Sequence, residues 1–166
     1  MAHREGIRDY LRDVRVYGVV HDWGCGTKPI KNYLKPNDAV FIGIDKLDHL
    51  GADIVADIEK PLVLPYVRGV QEMASFAFCL EAIEHVWDSK QLLANIFNNL
   101  APGGLLYLSQ PFMYETHKED DVHRYTHHGL RRLLEESGFV VDDTASTGGR
   151  IETALGFVVK AHKELK

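Results

Sequence analysis

Acidic residues and glycines near the start of the chain have the types and spacing of a ligand-binding loop. The stretch VVHDWGCGTKP (19–29) places Asp22 just before Gly24 and Gly26. A glycine pair directly after a strand lets the backbone approach a ligand closely. Asp22 suits the ammonium group of an amino acid, whereas it would repel a pyrophosphate. This loop is therefore expected to bind a ligand with an amino-acid end.

Two more acidic residues follow at the ends of the next two predicted strands. Asp45 ends FIGID, roughly 20 residues after the glycines, where a carboxylate can accept hydrogen bonds from both hydroxyls of a ribose. Asp57 ends the third strand, and Ile58 follows it as an apolar wall that suits an adenine ring. Amino acid, ribose and adenine in this order describe S-adenosylmethionine, which is the expected cofactor.

The glycine loop differs from the loop that binds nicotinamide dinucleotides. That loop reads G-x-G-x-x-G, and its third glycine allows a helix to pack closely on the strand. In this chain Pro29 stands at the position of the third glycine, and Asp22 would repel the pyrophosphate. A nicotinamide-dependent oxidoreductase is thus the less favoured alternative.

A second group of ionisable residues leaves the fourth predicted strand in CLEAIEHVWD. Glu81, Glu84 and His85 stand at positions i, i+3 and i+4, which share one side of a helical turn. Two carboxylates and an imidazole suit Mg²⁺, Mn²⁺ or Zn²⁺, and such an ion lowers the pKa of a bound acceptor hydroxyl. The alternative is that no metal binds, that His85 lines the acceptor pocket and that Glu84 is a solvated or capping acid.

Histidines are concentrated in the later segment THKEDDVHRYTHH (116–128). Histidine can take a proton from an acceptor hydroxyl or amine, because its unperturbed pKa is about 6.5. His85 and His123 are the predicted catalytic base or acceptor-positioning residues. Either His123 or His117 could complete a metal site, although the same segment could equally be a solvated loop.

Two tyrosines and two further histidines lie near these candidates in the sequence. Tyr114 and Tyr125 lie on the predicted acceptor side, where they could contact a substrate or simply pack. His127 and His128 are expected to be exposed residues of a first helical turn. None of these four is assigned a catalytic role.

Apolar runs of strand length alternate with helical patterns along the chain. The predicted strands are 17–22, 40–45, 53–57, 75–80, 103–110, 138–145 and 155–163. This alternation predicts an α/β fold, a Rossmann-like doubly wound seven-stranded sheet that is mostly parallel, with helices on both faces. About ten residues, including Gly148 and Gly149, separate the last two strands. They are too few for a helical crossover, so this pair should be antiparallel.

Three helical segments are expected to cover the sheet. Residues 1–16 form a charged, amphipathic N-terminal helix. DSKQLLANIFNN has an aspartate or serine that can cap it, and THHGLRRLLEES is capped by Thr126. The segment 111–128 is the expected acceptor-side loop of a single domain that spans residues 1–166.

Composition limits the classes of function. The 166 residues carry a net charge of −5, which argues against long nucleic acids as partners. The two cysteines form no disulfide or zinc pattern, which favours a reducing, cytoplasmic setting. No apolar run approaches the ~18 residues that a membrane span requires, so no membrane association is expected. A homodimer is one possibility.

Six segments together resemble the successive motifs of class I S-adenosylmethionine-dependent methyltransferases, particularly the small type 11 group. The segments are VVHDWGCGTKP, FIGID, VADIEKPL, FCLEAIEHVWD, LAPGGLLYLSQP and HRYTHHGLRRLLEESGF, within residues 17–145. The cofactor-binding residues that the resemblance and the spacing imply are Asp22, Trp23, Gly24, Cys25, Gly26, Asp45, Lys46, Asp57, Ile58, Leu80 and Glu81.

The expected function is therefore transfer of a methyl group from S-adenosylmethionine to an oxygen or nitrogen atom of a small-molecule acceptor. Methyl transfer chiefly requires that the acceptor be aligned with the methyl carbon and that water be excluded. The alternative from a different class is a catalytically silent partner subunit that binds the cofactor without turning it over.

Overall fold

The computed structural model describes residues 2–27, 30–34, 38–48, 52–64, 73–116, 119–147 and 156–164. Four residues named above, Pro29, His117, Gly148 and Gly149, lie outside the described residues. The elements in chain order are α1 (Ala2–Leu11), β1 (Val19–Trp23), a 3₁₀ turn (Ile30–Asn32), β2 (Val40–Asp45), β3 (Ile54–Val55), β4 (Ala74–Leu80), a second 3₁₀ turn (Ile83–His85), α2 (Ser89–Asn99), β5 (Leu100–Pro111), α3 (His127–Glu136), β6 (Phe139–Thr147) and β7 (Gly156–Lys163).

The strands form one seven-stranded sheet in the order β3-β2-β1-β4-β5-β7-β6. The first five strands in this order pair in parallel. The strand β7 pairs antiparallel with both β5 and β6. The predicted fold class, including the antiparallel C-terminal pair, is therefore confirmed.

Two apolar clusters cover the two faces of the sheet. One contains Leu92 of α2 and Leu130 of α3, together with Trp23 of β1. The other contains Ile7 and Leu11 of α1. Alternate residues of a strand point to opposite faces, so a strand covered on both faces is mostly apolar, and the buried polar residues His21 and Asp22 of β1 are exceptions.

The predicted helix caps are present. The Asp88 carboxylate accepts a hydrogen bond from the Gln91 N–H (2.9 Å), and Thr126 accepts one from Gly129 (3.1 Å). Such caps satisfy N–H groups that have no partner within the helix. The helix α2 therefore starts close to the end of β4, beside the crevice where a ligand would bind.

Three predicted elements differ clearly from the structure, whereas the ends of the other strands shift by at most two residues. The third strand forms only at Ile54–Val55 instead of 53–57, because the Asp53 carboxylate accepts from the Gly43 N–H and Asp57 forms a turn. The strand β5 starts at residue 100, directly after α2, because its first residue pairs with Ala74. The helix α1 ends at residue 11 and does not reach residue 16. In the described residues, no helix is long and apolar enough to cross a membrane.

Candidate functional site

A cavity of about 270 Å³ lies at the carboxyl end of the sheet, beside β1 and β4. The strand order runs in opposite directions from this pair, and ligands of open α/β sheets bind at such a switch point. The walls of the cavity are Asp22 with residues 24–27, residues of α1, the 30–33 segment, and the end of β4 at Leu80 and Glu81.

The glycine loop has a backbone that side chains would disrupt. Gly24 has φ +71°, and a Cβ built there would lie 2.5 Å from the Cβ of Ala82. Gly26 has φ +51° with no heavy atom within 4 Å of a built Cβ, so it faces open space. The Gly24 N–H donates to the Ile44 carbonyl (2.8 Å), which anchors the loop to β2. The predicted reason for these glycines, close backbone approach, fits this geometry.

Asp22 is a buried acid in the cavity wall. Its side chain accepts a hydrogen bond from the Ile30 N–H at 2.6 Å, and the residue is only 6% exposed. Burial raises the pKa of its carboxyl to about 7, and the nearby charge of Asp45 acts in the same direction, while the Ile30 bond opposes it. A cation placed beside Asp22 would stabilise its charged form.

Asp45 holds the loop in shape. One carboxylate oxygen accepts from the Gly26 N–H (2.9 Å) and the other from the Leu47 N–H (3.0 Å). Each carboxylate oxygen has two lone-pair sites, so both oxygens keep acceptor capacity. Asp45 thus connects the glycine loop to the end of β2 and remains able to accept further hydrogen bonds.

The predicted adenine contacts lie beyond the cavity. Asp57 is exposed, accepts from the Glu59 N–H (3.1 Å) and pairs with Lys60 (3.4 Å). Ile58 is buried in the core, and its carbonyl accepts from the side-chain amide of Asn95 at 2.8 Å. These residues follow β3, next to β2, but the structure does not bring them into the cavity wall.

Three other predicted cofactor residues have different positions. Trp23 has a fully buried side chain in the core beneath the loop. Cys25 lines the cavity, and burial raises the pKa of its thiol to about 12, so it stays protonated. Lys46 is exposed and pairs with Asp120 (3.1 Å) across the opening of the site. Both cysteines are free.

Glu81 has the only positive φ among described residues other than glycine, at 55°. Its N–H donates to the carbonyl and the hydroxyl of Ser109 (both 3.2 Å), and the Ser109 hydroxyl donates to its carboxylate (2.9 Å). A backbone in this region is strained for a residue with a side chain, and such strain concentrates at functional sites. The strand β5 therefore fixes Glu81 at the cavity wall.

The predicted metal site at Glu81, Glu84 and His85 does not form. Residues 83–85 are a 3₁₀ turn, and Glu84 is only 1% exposed, so it points into the protein instead of sharing a face with Glu81. In the part of the chain that the structure describes, no group of three or more histidine, cysteine, aspartate or glutamate side chains could hold a metal ion. The prediction of Mg²⁺, Mn²⁺ or Zn²⁺ at these residues is corrected.

Burial determines the chemistry of Glu84. Its pKa rises to about 8, first because of burial and then because of the charge of Glu81. Its Oε2 atom has no hydrogen-bond partner among the described residues, and its Oε1 lies 3.8 Å from Nε2 of His85. Its backbone carbonyl accepts from the N–H groups of Val122 and His123 (2.8 and 3.2 Å). Glu84 thus ties the acceptor-side loop to the 83–85 turn.

His85 has a carboxylate partner. Its Nδ1 lies 3.2 Å from the Asp120 carboxylate and 3.3 Å from the Asp120 carbonyl. With the proton on Nδ1, the Asp120 carbonyl accepts it, the carboxylate lies close by, and Nε2 is the basic nitrogen. A histidine that is paired with a carboxylate in this way is a common arrangement at general-base sites.

His123 is engaged in packing. Its Nε2 lies 3.3 Å from the Trp87 carbonyl, and its ring lies between those of Trp87 and Tyr125, at 6.3 and 5.2 Å. Tyr125 donates to the Ser89 hydroxyl (3.0 Å), so it packs on α2. Tyr114 is exposed. As expected, His127 and His128 are exposed residues of the first turn of α3.

The comparisons with known proteins agree with this geometry. A methyltransferase domain family matches residues 18–144. The chain belongs to this family. The class I S-adenosylmethionine-dependent methyltransferase resemblance is therefore confirmed. The matched segment of this methyltransferase includes the glycine loop, all acids discussed above and the strand pair β4–β5, but it leaves α1 outside.

Individual relatives are more distant. The carboxy-S-adenosyl-L-methionine synthase of Histophilus somni (strain 2336) is 27% identical over 136 residues, which cover 73% of this chain and 56% of that protein. This chain thus spans about half the length of this curated relative.

Two solved structures share the fold. A chain of the Haloferax volcanii complex of the Trm112 methyltransferase activator with a methyltransferase has a TM-score of 0.75 at 16% identity, covering 98% of this chain and 90% of that chain. The 1,6-didemethyltoxoflavin-N1-methyltransferase of Burkholderia thailandensis, solved with 1,6-didemethyltoxoflavin and S-adenosylhomocysteine, has a TM-score of 0.74 at 17% identity, covering 98% and 78%.

Several residues reach the site from distant segments, and no sequence pattern predicts them there. The cavity also contains Arg8 of α1 and Tyr33 after the first 3₁₀ turn. Ser109 holds Glu81, and Asp120 holds His85. The amphipathic pattern of the first segment predicted a helix, but nothing in it indicated where that helix would pack.

Proposed function

We propose that this methyltransferase transfers a methyl group from S-adenosylmethionine to an oxygen or nitrogen atom of a small-molecule acceptor. The observation that carries the proposal is one cavity at the switch point of the sheet, walled by a buried acid, an open glycine loop and Glu81. The acidic net charge and the compact acceptor side favour a small acceptor over a long nucleic acid. The free, buried cysteines suit a reducing compartment such as the cytoplasm.

The residues around the cavity fit S-adenosylmethionine. Burial raises the pKa of Asp22, and the ammonium of the cofactor would compensate its negative charge. The space beside Gly26 admits a ligand where a side chain would otherwise stand. Asp45 would accept hydrogen bonds from the ribose hydroxyls, and Asp57, which lies next to β2 beyond the cavity wall, would contact the adenine.

When bound, S-adenosylmethionine supplies a methyl carbon that is activated by the positive charge on its sulfur. Leu80 and Glu81, which line the cavity, would flank this position and exclude water from it. Ser109 keeps the Glu81 side chain in place, so its negative charge faces the cavity without having to reorganise. The task of the protein is alignment and exclusion of water, which a preformed cavity performs.

His85 would remove the proton from the acceptor. Asp120 accepts from Nδ1 and leaves Nε2 as the base. His123 was an equal candidate on sequence grounds, but its ring nitrogen faces the Trp87 carbonyl. We therefore assign the base to His85 and a loop-packing role to His123.

Binding and turnover can be tested separately. Isothermal titration with S-adenosylhomocysteine should show binding, and NADH should bind more weakly. Production of S-adenosylhomocysteine from S-adenosylmethionine should then be screened with phenols, catechols and amines. Turnover with any of them supports the enzyme, whereas binding without turnover across a broad panel favours the silent partner subunit.

The base is tested with a matched pair of variants. H85Q should lower turnover by roughly 100-fold or more, a typical contribution of a general base, while leaving binding of S-adenosylhomocysteine unchanged. H123Q should lower it far less. Equal effects of the two substitutions would contradict the assignment to His85.

A further inference from the structure

The helix α1 forms part of the cavity wall although it lies outside the segment that matches the methyltransferase family. Ile7, Arg8 and Leu11 line the cavity opposite the glycine loop. The family match begins at residue 18. The family comparison therefore assigns no role to α1, and the contribution of this helix must be inferred from its contacts.

The helix is fixed firmly enough to present a side chain at a defined place. Ile7 and Leu11 are buried in the second apolar cluster, one helical turn apart. The Tyr10 hydroxyl donates to the Asp143 carboxylate on β6 at 2.7 Å. These contacts hold α1 against the core and the far edge of the sheet, so the intervening Arg8 has a restricted position.

Arg8 provides the positive charge of the cavity. Its guanidinium carbon lies 4.9 Å from the ring centroid of Tyr33, which also lines the cavity. Stacking on an aromatic ring orients a guanidinium and leaves its edge free for hydrogen bonds. The charged residues that line the cavity in the described part of the chain are Arg8, Asp22 and Glu81. Arg8 is the one cation among them.

An amino-acid end carries an ammonium and a carboxylate, so it needs one anion and one cation from the protein. Asp22 provides the buried anion. We propose that Arg8 provides the cation and binds the carboxylate of the cofactor's amino-acid end. This inference rests on the proposed function and extends it to a residue of α1.

The test compares ligands that differ only at the amino-acid end. The ligands are S-adenosylhomocysteine, its decarboxylated analogue, which keeps the amine, and 5′-methylthioadenosine, which lacks the amino acid. R8Q should bind S-adenosylhomocysteine about tenfold more weakly than the parent protein, as expected for loss of a charge-assisted hydrogen bond. It should bind the other two ligands with unchanged affinity.

Two further variants serve as controls. R12Q removes another arginine of the same N-terminal segment, whose charge pairs with Asp9 at 4.0 Å, and it should leave all three affinities unchanged. R8K keeps the charge but loses the planar fork of N–H donors. Its affinity for S-adenosylhomocysteine should therefore lie between those of the parent and R8Q. Equal melting temperatures would show that the variants fold alike.

Two results would overturn the inference. If R8Q weakened all three ligands equally, Arg8 would act through the shape of the cavity and not on the carboxylate. If it weakened none, Arg8 would be only a solvated side chain stacked on Tyr33. If the parent protein bound none of the ligands, the proposed function itself would fail, which the titration of the parent distinguishes.

Discussion

Replacing Asp22 with asparagine should stabilise the empty protein at neutral and alkaline pH while weakening its binding of S-adenosylhomocysteine. Asp22 is buried, and its pKa is raised from 3.8 to about 7. Asparagine keeps an oxygen that can accept the hydrogen bond from the Ile30 N–H but carries no charge. The substitution therefore removes the titration and preserves the local hydrogen bond.

The direction follows from proton binding. Between pH 3.8 and 7, the folded protein keeps the Asp22 proton that the unfolded chain has released. The stability contributed by Asp22 is therefore fully present below pH 3.8 and is lost as the pH rises to about 7. Each unit of pKa difference corresponds to about 1.4 kcal/mol. Because the folded carboxyl is half ionised at pH 7, the parent should lose about 2 kcal/mol between pH 5 and pH 7 that D22N keeps.

Urea unfolding at pH 5, 6, 7 and 8 measures this difference, with the fluorescence of the fully buried Trp23 as the probe. The pKa of Glu84 is raised to about 8 and that of His21 lowered to about 4, both by burial, but these groups are common to both proteins. D38N, at an exposed acid, is the matched control and should follow the parent.

If the difference in unfolding free energy between D22N and the parent stayed constant from pH 5 to pH 8, the raised pKa of Asp22 would be refuted. The ligand provides a second check, because an ammonium beside Asp22 favours its charged form. S-adenosylhomocysteine should therefore bind the parent more tightly as the pH rises from 6 to 8, whereas its binding to D22N should not respond through this group. If the affinity for S-adenosylhomocysteine had the same pH dependence in the two proteins, the ammonium of the ligand would not lie beside Asp22.

Three other substitutions test the framework of the site. D45A should weaken S-adenosylhomocysteine roughly 10- to 100-fold by titration calorimetry, because it removes charge-assisted hydrogen bonds; unchanged affinity would place the ribose elsewhere. N95A should lower the free energy of unfolding by about 2–3 kcal/mol, because the buried Asn95 side chain forms hydrogen bonds with the backbone of residues 58, 60 and 62. The control N98A, at an exposed residue, should lower it by less than about 0.5 kcal/mol, and equal losses would contradict this role of Asn95. G24A should lower the melting temperature more than G26A does, since only the Cβ at Gly24 meets a neighbour at 2.5 Å; the reverse order would contradict the loop geometry.

The sheet was predictable because its information is local. Short apolar runs gave the strands, and a connection too short for a helix gave the antiparallel partner of β6. The glycine loop was also predictable, since a buried strand ending in an acid and two glycines is a contiguous pattern. At Gly24 the structure also shows why a glycine is needed, because a Cβ at this position would collide with Ala82, which follows the distant strand β4.

What failed depended on geometry that the sequence spacing does not determine. The three residues Glu81, Glu84 and His85 share a face only if an α-helical turn carries them. A 3₁₀ turn follows β4 instead, with Glu81 in a left-handed conformation that Ser109 supports from 28 residues away. The position of α1 could not be predicted either, because its contacts are with β6 and the 30–33 segment.

The two buried acids explain why the cavity can be formed before a ligand arrives. Asp45 uses its carboxylate to hold the loop through Gly26, so its charge is compensated by backbone N–H groups in the empty protein. Asp22 receives one such bond and remains in a low-dielectric wall, which is why its pKa rises. Asp45 therefore maintains the shape of the site, whereas the negative charge of Asp22 is unfavourable and is relieved either by a proton or by a neighbouring cation. In the proposed site, an ammonium beside Asp22 would favour ligands with an amino-acid end, because adenosine alone would gain no binding energy from that carboxylate.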